Sequence, residues 1–491
     1  MKIKKYIAEI IKKYIDIDRN EIEEMIEVPP RLEMGDYSLQ CFKLANILNK
    51  SPDIIAKEIK LSLDNNNFEK VEIVGGYLNF FLNKSFVLEN TLMEIISENN
   101  IANNNGIKNN KVICIDYSYC NKCDKMEFGE LFTALIGNSL YKLLKKQGYL
   151  VYRIRTLRDN NYKNKESEDI YKLFNIGFDI NIDSSVYKSK IEYEIKKLKF
   201  KGLIEYRNNI SVITLKKYNM APIVLDNNKT KLSQVEYVAN TVYLKEGYDF
   251  YKYIYVVEST KKTYFNQVFK LLELTNYKWI NQCIQINSGL VKFNNTKLLK
   301  RKEESSVVKK LVDEIIDLLI KNLQSKNLKI KNIEEIRKLA IGSIIFTYLK
   351  DSKSKNVFID LDEIISESKE TLLYIQYTYS KANKILSESK HIQSEVDFNK
   401  LNSKDEFELA SILGQFDNVI NYAIEQLEPS IITKYLIEVV NKFNVFYKSY
   451  EVLNLEDKSL IKARLTLIDA TSRIIKSTLE ILGIENVELY D

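Results

Sequence analysis

Between residues 111 and 300 short apolar runs alternate with stretches of helical period, and this alternation constrains the fold more than any other feature of the chain. The runs at 112–115, 151–154 and 253–257 are short and mostly apolar, with Arg153 the one charged residue in them, as strands covered on both faces are. Residues 131–144 and 265–274 carry apolar side chains every three or four positions, the spacing of helices packed on a sheet. Strand and helix in that alternation predict a parallel α/β sheet.

The flanks read differently. Residues 1–83 open with a basic amphipathic helix pattern (Ile3, Tyr6, Ile7, Ile10, Ile11, Tyr14) and turn signals at Pro29–Pro30 and Gly35–Asp36. A second helical pattern with Phe42, Leu44, Ala45 and Leu48 follows, then strand-like runs at 71–74 and 77–82 around Gly75–Gly76. The Asn-rich stretch 99–110 has linker composition. From about Ser306 onward the patterns are helical with no convincing strand, and the basic, Ser-rich stretch 387–404 reads as a loop. The expected division is an α+β domain over 1–83, a linker over 84–110, a Rossmann-type domain over 111–329 and an all-α domain over 330–491.

Composition removes several function classes. No apolar run reaches the roughly 18 residues of a membrane span, so a cytoplasmic, monomeric protein is expected. A net charge of +6 and a pI near 8.6 permit a nucleic-acid partner but do not by themselves require one. The single histidine, His391, excludes a Ser–His–Asp triad elsewhere and any His-rich metal site. Five cysteines in so long a chain make no disulfide framework. Cys120 and Cys123 form a Cys-x-x-Cys, but a structural zinc site needs four ligands and only Cys114 lies nearby, so no metal is expected.

Several strings, in order along nearly the whole chain, resemble a class I arginyl-tRNA synthetase. Glu33-Met34-Gly35-Asp36-Tyr37, Phe42-Lys43-Leu44-Ala45 and Gly75-Gly76-Tyr77-Leu78-Asn79-Phe80-Phe81-Leu82 are similar to that family's additional N-terminal domain. Asp116-Tyr117-Ser118 and Asn121 precede Gly129-Glu130-Leu131 and Ile136-Gly137 in the order of its nucleotide-binding start. The C-terminal strings are Tyr374-Ile375-Gln376-Tyr377, Glu428-Pro429, Tyr435-Leu436, Phe443-Asn444-Val445-Phe446-Tyr447 and Arg464-Leu465-Thr466-Leu467 with Ala470. The resemblance implies an α/β plus all-α architecture: an appended N-terminal domain, a Rossmann-type catalytic domain and a helical anticodon-binding domain.

The family's catalytic signatures are altered at three places. His-Ile-Gly-His, which holds ATP phosphates at a helix N-terminus, is replaced in register by Glu127-Phe128-Gly129-Glu130. One carboxylate facing a triphosphate at about 4 Å repels by about 4 kcal/mol at an effective dielectric of about 20. Two such repulsions offset most of the roughly 8 kcal/mol that holds a micromolar nucleotide. Carboxylates in a first helical turn also have a plain structural reading, as partners of the helix dipole, and a third, as ligands of a bridging magnesium ion. In place of the mobile Lys-Met-Ser-Lys loop stands Lys297-Leu298-Leu299-Lys300-Arg301-Lys302-Glu303, which keeps positive charge but not the small hydroxyl or a hinge glycine. Around the amino-acid pocket, Leu232 and Glu236 replace a tyrosine and an aspartate, Lys261 a glutamine and Tyr264 a histidine, while Asn121 is kept and Asp124 replaces a lysine. A lysine directed at a guanidinium is a like-charge clash.

The helical region keeps the family's aromatic framework. Through the resemblance, Tyr374, Gln376, Tyr377, Lys381, Arg464 and Arg473 are expected to face tRNA, by base stacking or phosphate contact. The expected function is binding of tRNA or a tRNA-like RNA with aminoacylation lost. Two alternatives stand beside it: an active arginine–tRNA ligase, which would need ATP and magnesium, and a scaffold that docks another protein without RNA. In the first and last readings no cofactor is expected.

Overall fold

The computed structural model describes residues 2–29, 31, 34–63, 67–97, 109–118, 126–157, 165–207, 210–225, 234–293, 307–325, 331–366, 368–389 and 394–489. The chain divides into two compact units, one of Met1–Asn99, Ala382–Gln415 and Lys442–Ile474, the other of Asn100–Lys381, Phe416–Asn441 and Ile475–Asp491. These do not follow the expected domain boundaries, because the helices of the C-terminal third divide between the two.

In the first unit four antiparallel strands lie in the order Ile26–Glu27, Tyr37–Gln40, Tyr77–Leu82, Phe68–Val74. The last two are joined by Gly75 and Gly76, both at positive φ, the turn the sequence signals. Ile7, Ile11, Leu39, Leu44, Ile55 and Phe80 form its core. The expected linker over 84–110 needs correction. Lys84–Ser97 is a helix whose Leu88, Leu92 and Ile95 are buried, and a strand already begins at Asn109. The polar composition that suggests a linker is confined to the residues after that helix.

The second unit contains the expected parallel sheet. Its five strands run Cys283–Ser288, Lys252–Glu258, Asn109–Asp116, Tyr149–Leu157, Ile180–Asp183, every neighbouring pair parallel. The apolar runs occupy the central three, where both faces are covered. From Asn109–Asp116 the chain first builds outward on one side and then returns to the other, making a topological switch point beside that strand. An insertion that the sequence did not announce follows Ile180–Asp183. The helix Lys188–Phe200 and a three-stranded antiparallel sheet of Ile204–Arg207, Ile210–Ile213 and Ile223–Leu225 share the main core through Leu198, Ile213, Leu215 and Ile223.

Beyond residue 306 the described elements are helical, with one correction. Val357–Ile359 is a strand, paired in parallel with Val291–Phe293. Gly289 makes this pairing possible: its N–H donates to Lys353 O at 2.8 Å, and a Cβ there would collide with the Lys355 carbonyl. Gly289→Ala is therefore expected to lower stability by about 3 kcal/mol, since backbone cannot rotate away from an added methyl. Urea unfolding followed by circular dichroism measures this; an unchanged midpoint would show that the two segments separate freely.

Candidate functional site

The site lies at the carboxyl ends of the parallel strands, where the helix Phe128–Lys146 points its N-terminus. Glu127 N–H donates to the Glu130 carboxylate at 3.3 Å, part of a capping box across the first turn. The structural reading of these two carboxylates is thus realised. A third acid joins them: Glu258, at the end of Lys252–Glu258, lies so close to Gly129 that a Cβ there would stand 2.5 Å from its Oε1. Thr260 Oγ1 donates to Glu258 Oε2 at 2.9 Å and fixes the carboxylate in that place. This helix end therefore carries carboxylates from two elements.

Deeper in the switch point Asp116 is fully buried. Its carboxylate accepts hydrogen bonds from Tyr253 Oη at 3.3 Å, Ser118 N at 3.4 Å and Thr156 Oγ1 at 3.5 Å. Burial pushes it up to about 7, against the pull of these bonds. Nearby, burial raises the phenol of Tyr187, and the neighbouring Glu236, Asp183, Asp116 and Tyr264 add to the effect. The Tyr187 hydroxyl is buried with no hydrogen-bond partner. The charges of Asp116, Asp183 and Glu236 thus act in the same direction on the Tyr187 hydroxyl.

Lys261 ends the turn Ser259–Lys261 after the strand, and Glu236 lies in the first turn of the helix Gln234–Tyr248. Asn121, Leu232, Lys297, Lys300, Arg301 and Lys302, with Cys120, Cys123 and His391, lie outside the described residues. Cys114, the remaining cysteine near the Cys-x-x-Cys, is buried in the central strand and its thiol is pushed up to about 12 by burial, far from a metal-ligating thiolate. Among the described residues no group of three His, Cys, Asp or Glu is placed to hold a metal ion.

The residues expected to face RNA separate into two sets. Tyr374 and Tyr377, on the helix Leu372–Glu388, are partly exposed, and Lys381 lies 4.1 Å above the Tyr377 ring. Gln376 is instead fully buried: its amide donates to Glu485 O at 2.8 Å and accepts from Val487 N at 3.1 Å, clamping the C-terminal segment. Arg464 is 8 % exposed, donating to Glu406 Oε1 at 2.8 Å and to Glu451 O at 2.6 Å. Arg473 bonds Asp469 and Ile96 O. The RNA-facing expectation thus does not fit Gln376 or Arg464, whose polar atoms are engaged inside the protein. An arginine string in sequence does not distinguish a phosphate contact from an internal ion pair.

A basic surface escaped the sequence reading. Residues 188–225, the insertion, hold nine lysines and arginines against three glutamates, a surplus equal to that of the whole chain. Lys188, Lys196, Lys199, Lys201, Lys216 and Lys217 are exposed, as are Tyr193, Tyr206 and Phe200, the last at 94 %. A local count of charge in place of the total would have found it.

Comparisons with known proteins agree with this architecture. Residues 1–82 match the arginyl tRNA synthetase N terminal domain, 159–361 the tRNA synthetases class I (R) catalytic domain and 375–489 the DALR anticodon binding domain. The chain is 36 % identical to an arginine–tRNA ligase of Clostridium botulinum and 35 % identical to one of Clostridium beijerinckii, over 99 % of this chain and 100 % of each relative. Among solved structures it is similar to Thermus thermophilus arginyl-tRNA synthetase (TM-score 0.69, 18 % identity, 98 % of this chain and 99 % of that one). The Plasmodium falciparum enzyme gives a TM-score of 0.67 at 18 % identity, with 99 % of both chains covered. At such identity the structural likeness is one of fold.

Asp116 yields a prediction. Its folded value near 7 exceeds the unfolded carboxylate value of about 3.9. Between these values the folded state binds the extra proton, so this group's contribution makes stability fall as pH rises through the window, by about 1.4 kcal/mol per unit. Asp116→Asn should remove that slope and melt higher than the parent at pH 8. Melting curves from pH 4 to 8 compare the two; an Asn variant with the parent's slope and a lower Tm would contradict the assignment.

Proposed function

Because the chain belongs to the arginyl-tRNA synthetase family, we propose that it binds tRNA, and that its altered helix end no longer supports activation of arginine. The observation that carries the second part is the carboxylate front of Glu127, Glu130 and Glu258 over Gly129. The anticodon-binding match over 375–489 and the exposed lysines and aromatics of the insertion support the first. In the insertion, side chains such as Lys199 and Lys201 would neutralise phosphates while Phe200 offers a stacking face. The protein is taken to act in the cytoplasm; no described helix is long and apolar enough to cross a membrane.

The ligase is the second reading, and the comparisons back it better than they back a loss of catalysis. Relatives named arginine–tRNA ligase match the chain end to end. Whole-length identity, however, measures ancestry and fold, whereas adenylation depends on a few atoms at one helix end. ATP and magnesium belong to this reading alone. The magnesium route would require Glu127 and Glu130 to hold the ion together with phosphate oxygens, since the described carboxylates make no three-ligand group.

ATP–pyrophosphate exchange with arginine, with and without tRNA, decides between the two readings. The expected result is no exchange above a heat-killed control; steady exchange abolished by Glu130→Ala establishes the ligase. For RNA, filter binding of folded tRNA across a salt series should give a slope that falls by about one for each of Lys196, Lys199 and Lys201 replaced by alanine. Phe200→Ala should cost about 1–3 kcal/mol with the slope unchanged. No binding by the whole protein at low salt would leave the protein-docking scaffold as the better account.

A further inference from the structure

The carboxylate of Glu428, immediately before Pro429 and the helix Ser430–Ser449, is a junction of unusual density. Only 13 % exposed, it accepts from Lys353 N at 3.0 Å, Ser352 Oγ at 2.8 Å, Ser430 Oγ at 3.0 Å and Lys353 Nζ at 3.4 Å. Lys353 in turn accepts at its carbonyl from Gly289 N at 2.8 Å. The neighbouring Ser288, fully buried, places Oγ 3.4 Å from Thr133 Oγ1, and Thr133 donates to Gly129 O at 2.7 Å. Since the single Thr133 hydroxyl proton goes to Gly129, Ser288 is the donor in that pair.

We propose that Glu428 is a positioning residue for the helix end at Gly129, acting through the hydrogen-bonded line Lys353, Gly289, Ser288 and Thr133. Every member belongs to one compact unit. The line is stiff where stiffness matters. Gly289 is pressed against the 353–356 segment with no room for a methyl, Leu290 N donates to Asn356 Oδ1 at 2.9 Å, and parallel strand pairing continues the contact. A shift of the turn that carries Glu428 therefore moves the Ser288 hydroxyl, and with it the carbonyl of the residue over which Glu258 lies. Glu428 falls within the segment that matches an anticodon-binding domain, so RNA held there would bias the first turn of Phe128–Lys146. That last step rests on the tRNA-binding reading; the line itself does not.

Contiguity alone is not coupling, so the test is non-additivity. In the free full-length protein, Glu428→Gln should speed hydrogen exchange of the Leu131–Thr133 amides about three- to tenfold, the factor given by one weakened hydrogen bond. Amides of the helix Val307–Ser325, off the line, should not change. Ser288→Ala should produce the same acceleration, and the double variant no more than either single one. Uniform acceleration of all amides would reduce Glu428 to a general stabiliser, and additive effects would break the line at Ser288; either result overturns the proposal. In a second arm, saturating tRNA should slow exchange at Leu131–Thr133 in the parent but not in either variant. Filter binding separates the two failures, because absent tRNA binding counts against the RNA reading while the free-protein arm still decides the line.

Discussion

Enclosure of the helix Phe128–Lys146 is the constraint on which the site depends. Every residue from Leu131 to Leu140 is buried, so the helix cannot tilt or slide without opening the core on all sides. Its N-terminus is thereby fixed at the switch point of the parallel sheet, with first-turn N–H groups that require partners. In this chain the partners are carboxylates. The same geometry that makes a phosphate cradle elsewhere here makes a capped helix end, with Glu258 from the neighbouring strand closing over Gly129. Chemistry at this position follows from side-chain substitution, not from any change of fold.

Much of the framework was legible in the chain. The runs at 112–115 and 253–257 read as strands because a doubly covered parallel strand has no polar face to interrupt them, and the run at 151–154 carries one charge, Arg153, held by Asp179. Glu127 and Glu130 could be placed at a helix start through the register of the family signature that they replace. The Lys84–Ser97 helix was hidden by its polar neighbours, and Val357–Ile359 by its length of three residues, too short for any period to show. The strand exists because Gly289 admits the 353–356 backbone, a long-range contact that no local pattern encodes.

Site residues were less legible than elements. Gln376 and Arg464 look like recognition groups in sequence and prove to be internal clamps, because a buried amide or guanidinium needs hydrogen-bond partners whether it serves packing or RNA. Conversely, Asp116 interrupts an apolar run at its carboxyl end, and a charged residue in that position is a signal that can be read in advance. The result is a scaffold with carboxylates at one helix end and a basic insertion.

The central claim is that carboxylates at the helix end exclude the nucleotide. Calorimetric titration of ATP with magnesium into the full-length protein tests it most directly, run beside the double variant Glu127→His, Glu130→His. The account predicts no saturable heat from the parent at millimolar nucleotide and measurable uptake by the variant. Saturable micromolar binding by the parent would contradict it and restore the nucleotide site to function.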